Sequence, residues 1–419
     1  MTGWISFLRR RPGGSPAGIG PMRRPATVAL LGADYPGLHP AFAVTEGEHV
    51  RCGQVLFTDA KRPSLAVVSP VDGTVASLER GPRRVLSSVI LSCDPEPRAE
   101  LPAAPIARPD GGSARATLLE NGLWPAFLSR PFGRIPDPEA TPEAIFVNAI
   151  DATQGAADPG AILALRPDDF ERGLDILMEL TEGPVFLCQA KGAEIARPGR
   201  DRLRTAFFDA GYPTGLVGHQ IARLRPPGPG GAVWSICFQD VIAIGHLFNT
   251  GHYLGERVVS VRRADLEASE AFPTLLGAKL RDIVPSSEGD AKPVRLYSGA
   301  PMPGCDDVFL RRHHNHVTAM PLSPPPGQSR WLPRLGRSLP RSRPAPIIPL
   351  AALDRALPTD APVVPLMRAL SIGDVEAAER LGALDLIEED VALLTRLCTS
   401  GSDYGHLLRR VLDELESAA

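Results

Sequence analysis

The sequence predicts a multidomain α/β chain, and three observations predict it. Short alternating stretches punctuated by glycine run from Val44 to Val75; strand-length apolar runs alternate with helical patterns from Ala114 to Phe248; and beyond Pro349 only helical periodicity remains. Period two marks strands and period 3.6 marks helices, so each change of period marks a change of architecture. The expected order is a module of short strands over 1–100 and a Rossmann-like α/β domain over 114–257. A smaller β-grasp-like unit follows over 258–321, then a linker over 322–349 and a helical bundle over 350–419. A chain of 419 residues has room for two to four separate cores.

Taken in order, Thr27 to Leu31 reads as a buried strand ending at Gly32, and Asp34 to Pro40, with Tyr35 and His39, as a loop. In the repeat, Val50, Val55 and Leu56 alternate with polar residues, and Gly47 and Gly53 stand where tight turns need positive φ. Ser69 to Val75 repeats the pattern and Val85 to Ser92 closes it. These two halves resemble the barrel-sandwich hybrid fold of biotinyl and lipoyl carrier domains. In those carriers the hairpin between the halves presents a modified lysine. Here it is Thr58 to Ser64, where Lys61 has no neighbouring Met and Pro63 follows two residues on. Proline fixes φ and removes a ladder donor, so the tip fits a carrier hairpin poorly. No covalent cofactor is expected, and the module is read as a holder, not a swinging arm.

Ala116 to Asn121 reads as a helix stopped by Gly122 and Pro125. Ala144 to Ile150 and Val185 to Gln189 read as strands, Pro167 to Leu180 as an amphipathic helix, and Arg200 to Ala210 as a helix stopped by Gly211. Val233 to Phe238 is a strand and Asp240 to Phe248 a helix, with Gln239 and Asp240 as its cap. Such alternation implies a parallel sheet covered on both faces. Glu256 to Val261 reads as a further strand, after which the β-grasp-like unit begins, with Thr274 to Ile283 as a short helix and Val294 to Tyr297 as a strand. Pro95 to Ser113 and Leu322 to Pro349 read as linkers. Val363 to Leu370, Val375 to Leu381, Glu388 to Leu397 and His406 to Leu415 read as the helices of the bundle.

A formal charge of −3 without a basic cluster excludes a nucleic-acid surface. Six scattered cysteines without a C-x-x-C pair exclude a zinc site, an iron–sulfur cluster and a disulfide framework, and suit a reducing compartment. The longest apolar stretch, Ala232 to Phe248, is interrupted by Gln239 and Asp240, so no segment spans a bilayer. At the N-terminus Trp4, Ile5, Phe7 and Leu8 precede Arg9 to Arg11, the reverse of a secretory signal. That stretch reads as a frayed terminus, with a short contact to a membrane surface or a partner as the rival reading. His313, His314 and His316 read as an exposed basic strand end with no metal, His219 and His246 as satisfied histidines, and Cys398 as a small hydrophobe.

Several stretches in a fixed order carry a wider resemblance. They are Leu30-Leu31-Gly32 with Tyr35-Pro36-Gly37; the carrier-like repeat; Gly122-Leu123-Trp124 with Arg130-Pro131-Phe132; Ile145-Phe146-Val147 with Ala149-Ile150-Asp151; Gln239 to Gly245; and Asp403-Tyr404-Gly405. Along nearly its whole length the chain resembles the A subunits of bacterial sodium-translocating NADH:quinone reductases, relatives of the flavin-binding subunit of respiratory complex I and of the Rnf complex C subunit. The resemblance implies a peripheral protein on the cytoplasmic face of the inner membrane, with the membrane B subunit as its main partner. It also implies electron transfer from NADH to ubiquinone coupled to sodium export, with NAD and FMN or FAD used by partner subunits and an isolated chain that is not catalytic. The implied fold is the one read above, with an SLBB-type β-grasp unit.

The related flavin-binding subunits hold FMN with a glycine-rich loop. Here the corresponding residues, Gly122 to Arg134, bring two prolines and bulky rings, so neither flavin nor NADH is expected there. Tyr35, Trp124, Phe127, Arg130, Phe132 and Arg134, with His39 near them, are the candidate contacts to a quinone ring. The rival reading is that these rings fill the space of the missing flavin. Two other functions stay open at this point: a scaffolding relative without redox role, and a biotinyl or lipoyl carrier modified at Lys61.

Overall fold

The computed structural model describes residues 16–418 except 17, 83–84, 97–112, 194, 196–198, 229, 264–267, 285–293, 300–306 and 322–345. The N-terminal Trp4 to Arg11 stretch and most of both linkers lie outside the described residues.

The first module holds seven strands: β1 (Thr27–Leu31), β2 (Pro40–Phe42), β3 (His49–Val50), β4 (Val55–Asp59), β5 (Arg62–Val68), β6 (Gly73–Arg80) and β7 (Leu86–Cys93). They form two antiparallel sheets, β1-β7-β6-β3 and β2-β4-β5, which share a core of Val50, Leu56, Val75, Val89 and Leu91. Gly47 and Gly53 turn the chain with φ of 84° and 82°, as their spacing predicts. Lys61 is exposed in a two-residue turn between β4 and β5. Pro63 falls in the irregular stretch where pairing jumps from Asp59↔Arg62 to Thr58↔Ala66, on an edge strand, so its missing N–H costs no ladder bond.

The second unit contains α1 (Ala114–Glu120), β8 (Leu128–Arg130), β9 (Ala144–Ala149), α2 (Pro159–Leu163), α3 (Pro167–Glu179), β10 (Val185–Ala190), β11 (Leu203–Phe208), α4 (Val217–Leu224), β12 (Val233–Cys237) and α5 (Phe238–Thr250). Its sheet runs β11-β10-β9-β12-β8, parallel except for β8. The helix expected over Arg200 to Ala210 is the edge strand β11. Its half-exposed surface blurs the alternation, and pairing of Leu203–Phe208 with Val185–Ala190, helped by Thr205 and two phenylalanines, outweighs the helical spacing of Leu203, Ala206 and Phe207. Helix α5 is buried on all sides from Phe238 to Phe248, which explains the long apolar run. It crosses α3 at two glycines, Gly173 and Gly245, which let the backbones touch.

The third unit is a four-stranded sheet, β14-β13-β16-β15, built from β13 (Glu256–Arg263), β14 (Ala268–Leu275), β15 (Val294–Ser298) and β16 (His316–Pro321), with only β13 and β16 parallel. The expected helix from Thr274 shrinks to α6 (Leu280–Ile283), because Thr274 and Leu275 finish β14 opposite Arg257 and Glu256. Strand β13 belongs wholly to this sheet, so the unit starts at Glu256, two residues before the expected boundary. Short helices α7 (Ala351–Asp354), α8 (Val363–Ile372), α9 (Val375–Arg380), α10 (Glu388–Leu397) and α11 (Tyr404–Ala418) close the chain around Leu366, Met367, Leu394, Tyr404 and Leu408. Each of the last four begins and ends within a few residues of its expected position.

Candidate functional site

The stretch from Gly122 to Arg134 directs its backbone donors inward. Pro125 and Pro131 have no N–H, and the amides of Leu123, Ala126 and Phe127 donate to the carbonyls of Leu118, Leu123 and Trp124. Ser129 and Arg134 exchange backbone bonds with each other. Its two glycines face protein: a Cβ on Gly122 would come within 2.7 Å of Val68, and one on Gly133 within 2.7 Å of Ile387. A phosphate cradle needs free amides pointing at an open concavity. The residues present here do not fit FMN.

Rings occupy the space. Trp124, Phe127 and Trp234 meet with centroids 5.3–5.6 Å apart, and Trp124 Nε1 donates to the carbonyl of Pro136 at 2.9 Å. Arg115 lies 5.2 Å above the Trp124 ring. Trp234, the third member, sits on β12 and reaches the cluster only through sheet pairing with β8.

The rest of the loop is clamped by the C-terminal helices. Arg130 Nη1 donates to Asp390 Oδ2 at 2.7 Å and to the carbonyl of Asp385 at 3.0 Å. Both side chains of this ion pair are buried, at 1% and 0% exposure. Asp390 Oδ2 also accepts from the amide of Ile387 at 2.9 Å, so one carboxylate caps α10 and holds the loop. Phe132 has the left-handed φ of 78°, a position that persists only where neighbours over-determine it. Its ring packs on the C-terminal core and its carbonyl accepts from Arg409 Nη1 at 2.7 Å. Arg134 reaches Asp413 at 2.7 Å and Glu416 at 2.8 Å. Further along the interface Tyr212 donates to the carbonyl of Ala356 at 3.0 Å, and His219 Nδ1 to that of Pro358 at 2.9 Å.

The six residues expected around a quinone therefore do not line one slot. Trp124 and Phe127 are interior, Arg130 is neutralised by Asp390, and Phe132 and Arg134 lie half-buried at the C-terminal helices. Tyr35 belongs elsewhere, buried edge-on against Phe57 at 6.2 Å. Its loop is drawn away because Asp34 binds Arg311 Nε at 2.5 Å and the amide of Arg312 at 3.1 Å. His39 hydrogen-bonds within that same loop, Nδ1 to the carbonyl of Gly37 at 3.1 Å.

Near Tyr35 the three N-terminal units meet in a polar nest that no sequence motif announces. Asp240 receives Arg257 Nη2 at 2.7 Å and lies 3.6 Å from Arg312 Nη2. Burial alone would raise this carboxyl, yet the guanidinium groups of Arg257 and Arg312 hold it below the usual carboxylate range. The expected capping role of Gln239 and Asp240 is thus replaced. The α5 N-cap is Cys237, and the Gln239 amide exchanges bonds with the backbone of Val258 at 2.8 and 2.9 Å, tying α5 to the third sheet. Tyr35, Val68, Tyr253 and Arg312 line a cavity of about 30 Å³ beside the nest, room for a water or two.

Of the three histidines expected to be exposed, His316 is enclosed and His313 and His314 are half-buried. His316 starts β16 at 3% exposure and pairs with Ser260, and His314 Nδ1 lies 2.9 Å from Ser298 Oγ. Burial, followed by the charge of Arg262, pushes the His316 imidazole down to about 3. Among the described residues no group of three potential ligands is placed to hold a metal. Because His316 is neutral in the fold and protonates near 6.5 when unfolded, its contribution is complete above that pH and is lost as pH falls toward 3. Denaturation midpoints should fall between pH 6.5 and 5, with a limiting slope of about 1.4 kcal/mol per pH unit from this residue, and His316→Gln should flatten that fall. His246 is satisfied, as expected, by Asp169 at 3.1 Å. Cys398 lies 3.4 Å from the Tyr404 hydroxyl.

Comparison with known proteins adds to this geometry. Residues 13–94 match the family model of the NqrA N-terminal barrel-sandwich hybrid domain, and 110–253 that of the NqrA second alpha/beta domain. The chain is 36% identical over 418 residues to the A subunit of the Na(+)-translocating NADH-quinone reductase of Neisseria meningitidis serogroup A, covering 93% of each chain. It is 35% identical over 423 residues to the corresponding protein of Pseudomonas aeruginosa, again covering 93% of each. A crystal structure of an NAD+-reducing [NiFe]-hydrogenase overlaps 66% of this chain and 55% of its own at 14% identity and a TM-score of 0.32, a likeness too low to bear on the fold. With identity at the level of the Neisseria and Pseudomonas relatives along nearly the whole length, the chain belongs to the NqrA family, the A subunits of Na(+)-translocating NADH-quinone reductases.

Proposed function

We propose that this chain serves as the A subunit of a sodium-translocating NADH:quinone reductase, a peripheral protein on the cytoplasmic face of the inner membrane that holds its partners in place and binds no flavin itself. NADH oxidation and flavin chemistry then belong to the partners, and electrons pass to ubiquinone with sodium export. The observation that carries this reading is the closed loop from Gly122 to Arg134, whose amides at Leu123, Ala126, Phe127, Ser129 and Arg134 are spent on backbone carbonyls and whose two glycines face protein. No helix among the described residues is long and apolar enough to cross a membrane, so attachment would run through membrane partners, the B subunit first among them. The strand order β11-β10-β9-β12 supports the Rossmann-like reading of the second unit, and β14-β13-β16-β15 around α6 supports an SLBB-type β-grasp.

Tagged chain purified from membranes should bring the membrane subunits and NADH:quinone reductase activity with it. Recovery of the chain alone, from the soluble fraction, would favour the scaffolding alternative. For quinone contact the geometry leaves Phe132 and Arg134, the half-buried members of the loop, ahead of the enclosed Trp124, Phe127 and Tyr35. A photoreactive quinone in the intact complex should label residues near 132–134 if this chain meets the ring, and labels confined to the other subunits would remove the contact.

A further inference from the structure

Strand β11 forms one margin of the second unit's sheet, and its backbone is only half used. The amide of Val185 donates to the carbonyl of Arg202 at 3.0 Å and that of Lys191 to the carbonyl of Phe208 at 3.1 Å, which fixes the phase of the ladder. Even-numbered residues of β11 therefore bond to β10, and in a parallel pair the odd-numbered ones turn their N–H and C=O to the other side. The Leu203 amide is spent locally, on the carbonyl of Arg200 at 3.3 Å. The Leu203 carbonyl and both backbone groups of Thr205 and Phe207 face outward, and no strand or loop among the described residues pairs with them. Other margins are closed by the chain itself. Gly20 and Arg23 bond along β14 at 2.8 and 2.9 Å, Gly277 and Lys279 along β1 at 2.9 Å, and Arg134 along β8 at 2.7 Å. Open edges are ordinarily blunted by proline, a bulge or charge. Strand β11 has no proline, pairs with β10 over its whole length without a bulge, and carries one charge, the exposed Arg204. Thr205 is exposed and Phe207 is 50% exposed, so this edge is reachable from solvent.

We propose that β11 receives an extended segment of another subunit of the complex as a further strand of this sheet. Main-chain bonds to Leu203, Thr205 and Phe207 give such a contact its affinity, and the side chains beside them give it selectivity. The segment that fits carries an apolar residue beside Phe207 and a carboxylate beside Arg204. A second copy of this chain fits less well. Antiparallel pairing of two copies about Thr205 matches Leu203 of one with Phe207 of the other, but it sets the exposed Asp201 opposite the exposed Asp209, a like-charge pair. The inference rests on the place in the reductase complex proposed above and adds to it the position and form of one subunit contact.

Hydrogen exchange resolved to single amides, on the isolated chain and on the complex purified through a tag on it, tests the proposal. The amides of Thr205 and Phe207 should exchange at least about tenfold more slowly in the complex, while those of Arg204 and Ala206, already bonded to β10, are protected in both. Thr205→Pro removes only an outward donor, a change that edge strands tolerate, so the isolated variant should keep the parent thermal midpoint. In its complex the Phe207 amide should exchange as fast as in the isolated chain. Arg204→Glu, which reverses an exposed charge and removes no backbone donor, should likewise weaken the protection of Phe207 by at least about tenfold. A complex that co-purifies with Thr205 and Phe207 exchanging as they do in the isolated chain would overturn this inference and leave the place in the complex standing. Recovery of the chain without partners would overturn both. Protection that rises with the concentration of the isolated chain, together with a doubled mass, would put a second copy on the edge and overturn the inference as stated.

Discussion

Asp390→Ala is expected to cost about 3–5 kcal/mol of stability and to loosen the C-terminal helices from the rest of the chain. The substitution leaves Arg130, 1% exposed, without its counter-charge, and removes the acceptor that caps α10 at Ile387. With Asp390 gone, the hydrogen-bond acceptor left to Arg130 Nη1 is the neutral carbonyl of Asp385. Exposed pairs elsewhere on the interface, such as Arg223 with Asp360 at 3.3 Å, should contribute less than about 1 kcal/mol. Denaturant titration should therefore show a large loss in Asp390→Ala, and limited proteolysis should release the segment beyond residue 350. The double replacement Arg130→Met with Asp390→Leu should recover much of that loss, because removing both charges leaves neither uncompensated. A single variant with a loss under about 1 kcal/mol would show that the pair does not hold the interface.

Gly245→Ala should be the other severe change. A Cβ at Gly245 would lie 1.7 Å from the carbonyl oxygen of Asp169 and 2.7 Å from the amide nitrogen of Gly173. These are backbone atoms of α3 and cannot swing aside, so the two helices must part. Helix propensity alone favours alanine over glycine by about 1 kcal/mol, but overpacking of this kind costs about 1–3 kcal/mol and occasionally more. With overlap this deep the contact decides the sign, and the variant should unfold at lower denaturant or fail to accumulate as folded protein. Gly211→Ala, where a Cβ meets nothing within 4 Å, serves as the control and should stay within about 0.5 kcal/mol of the parent.

The contrast between these sites shows what the sequence can disclose. Strand β1 is legible as a short continuous apolar run, and the helix Pro167–Glu179 and the last helices because each has one apolar stripe of helical period. The strand Leu203–Phe208 is not, since an edge strand exposed on part of both faces loses its alternation and keeps a spacing that also suits a helix. The histidines near residue 314 look solvated by residue type, and only the pairing of β16 between β13 and β15 encloses His316. Within the loop, the prolines and rings already disfavour a phosphate cradle. What no local pattern could supply is the clamp, because Asp390 stands 260 positions from Arg130 and Glu416 stands 282 from Arg134. Arg130 is readable as a site residue, but the partner that fixes its role is not.

The visible absorption spectrum of the purified full chain tests most directly whether the place of the missing flavin has been filled by the chain's own side chains. Colourless protein with no flavin bands, before and after addition of FMN and removal of the unbound excess, is the predicted result. Stoichiometric yellow flavin retained by the chain would contradict it.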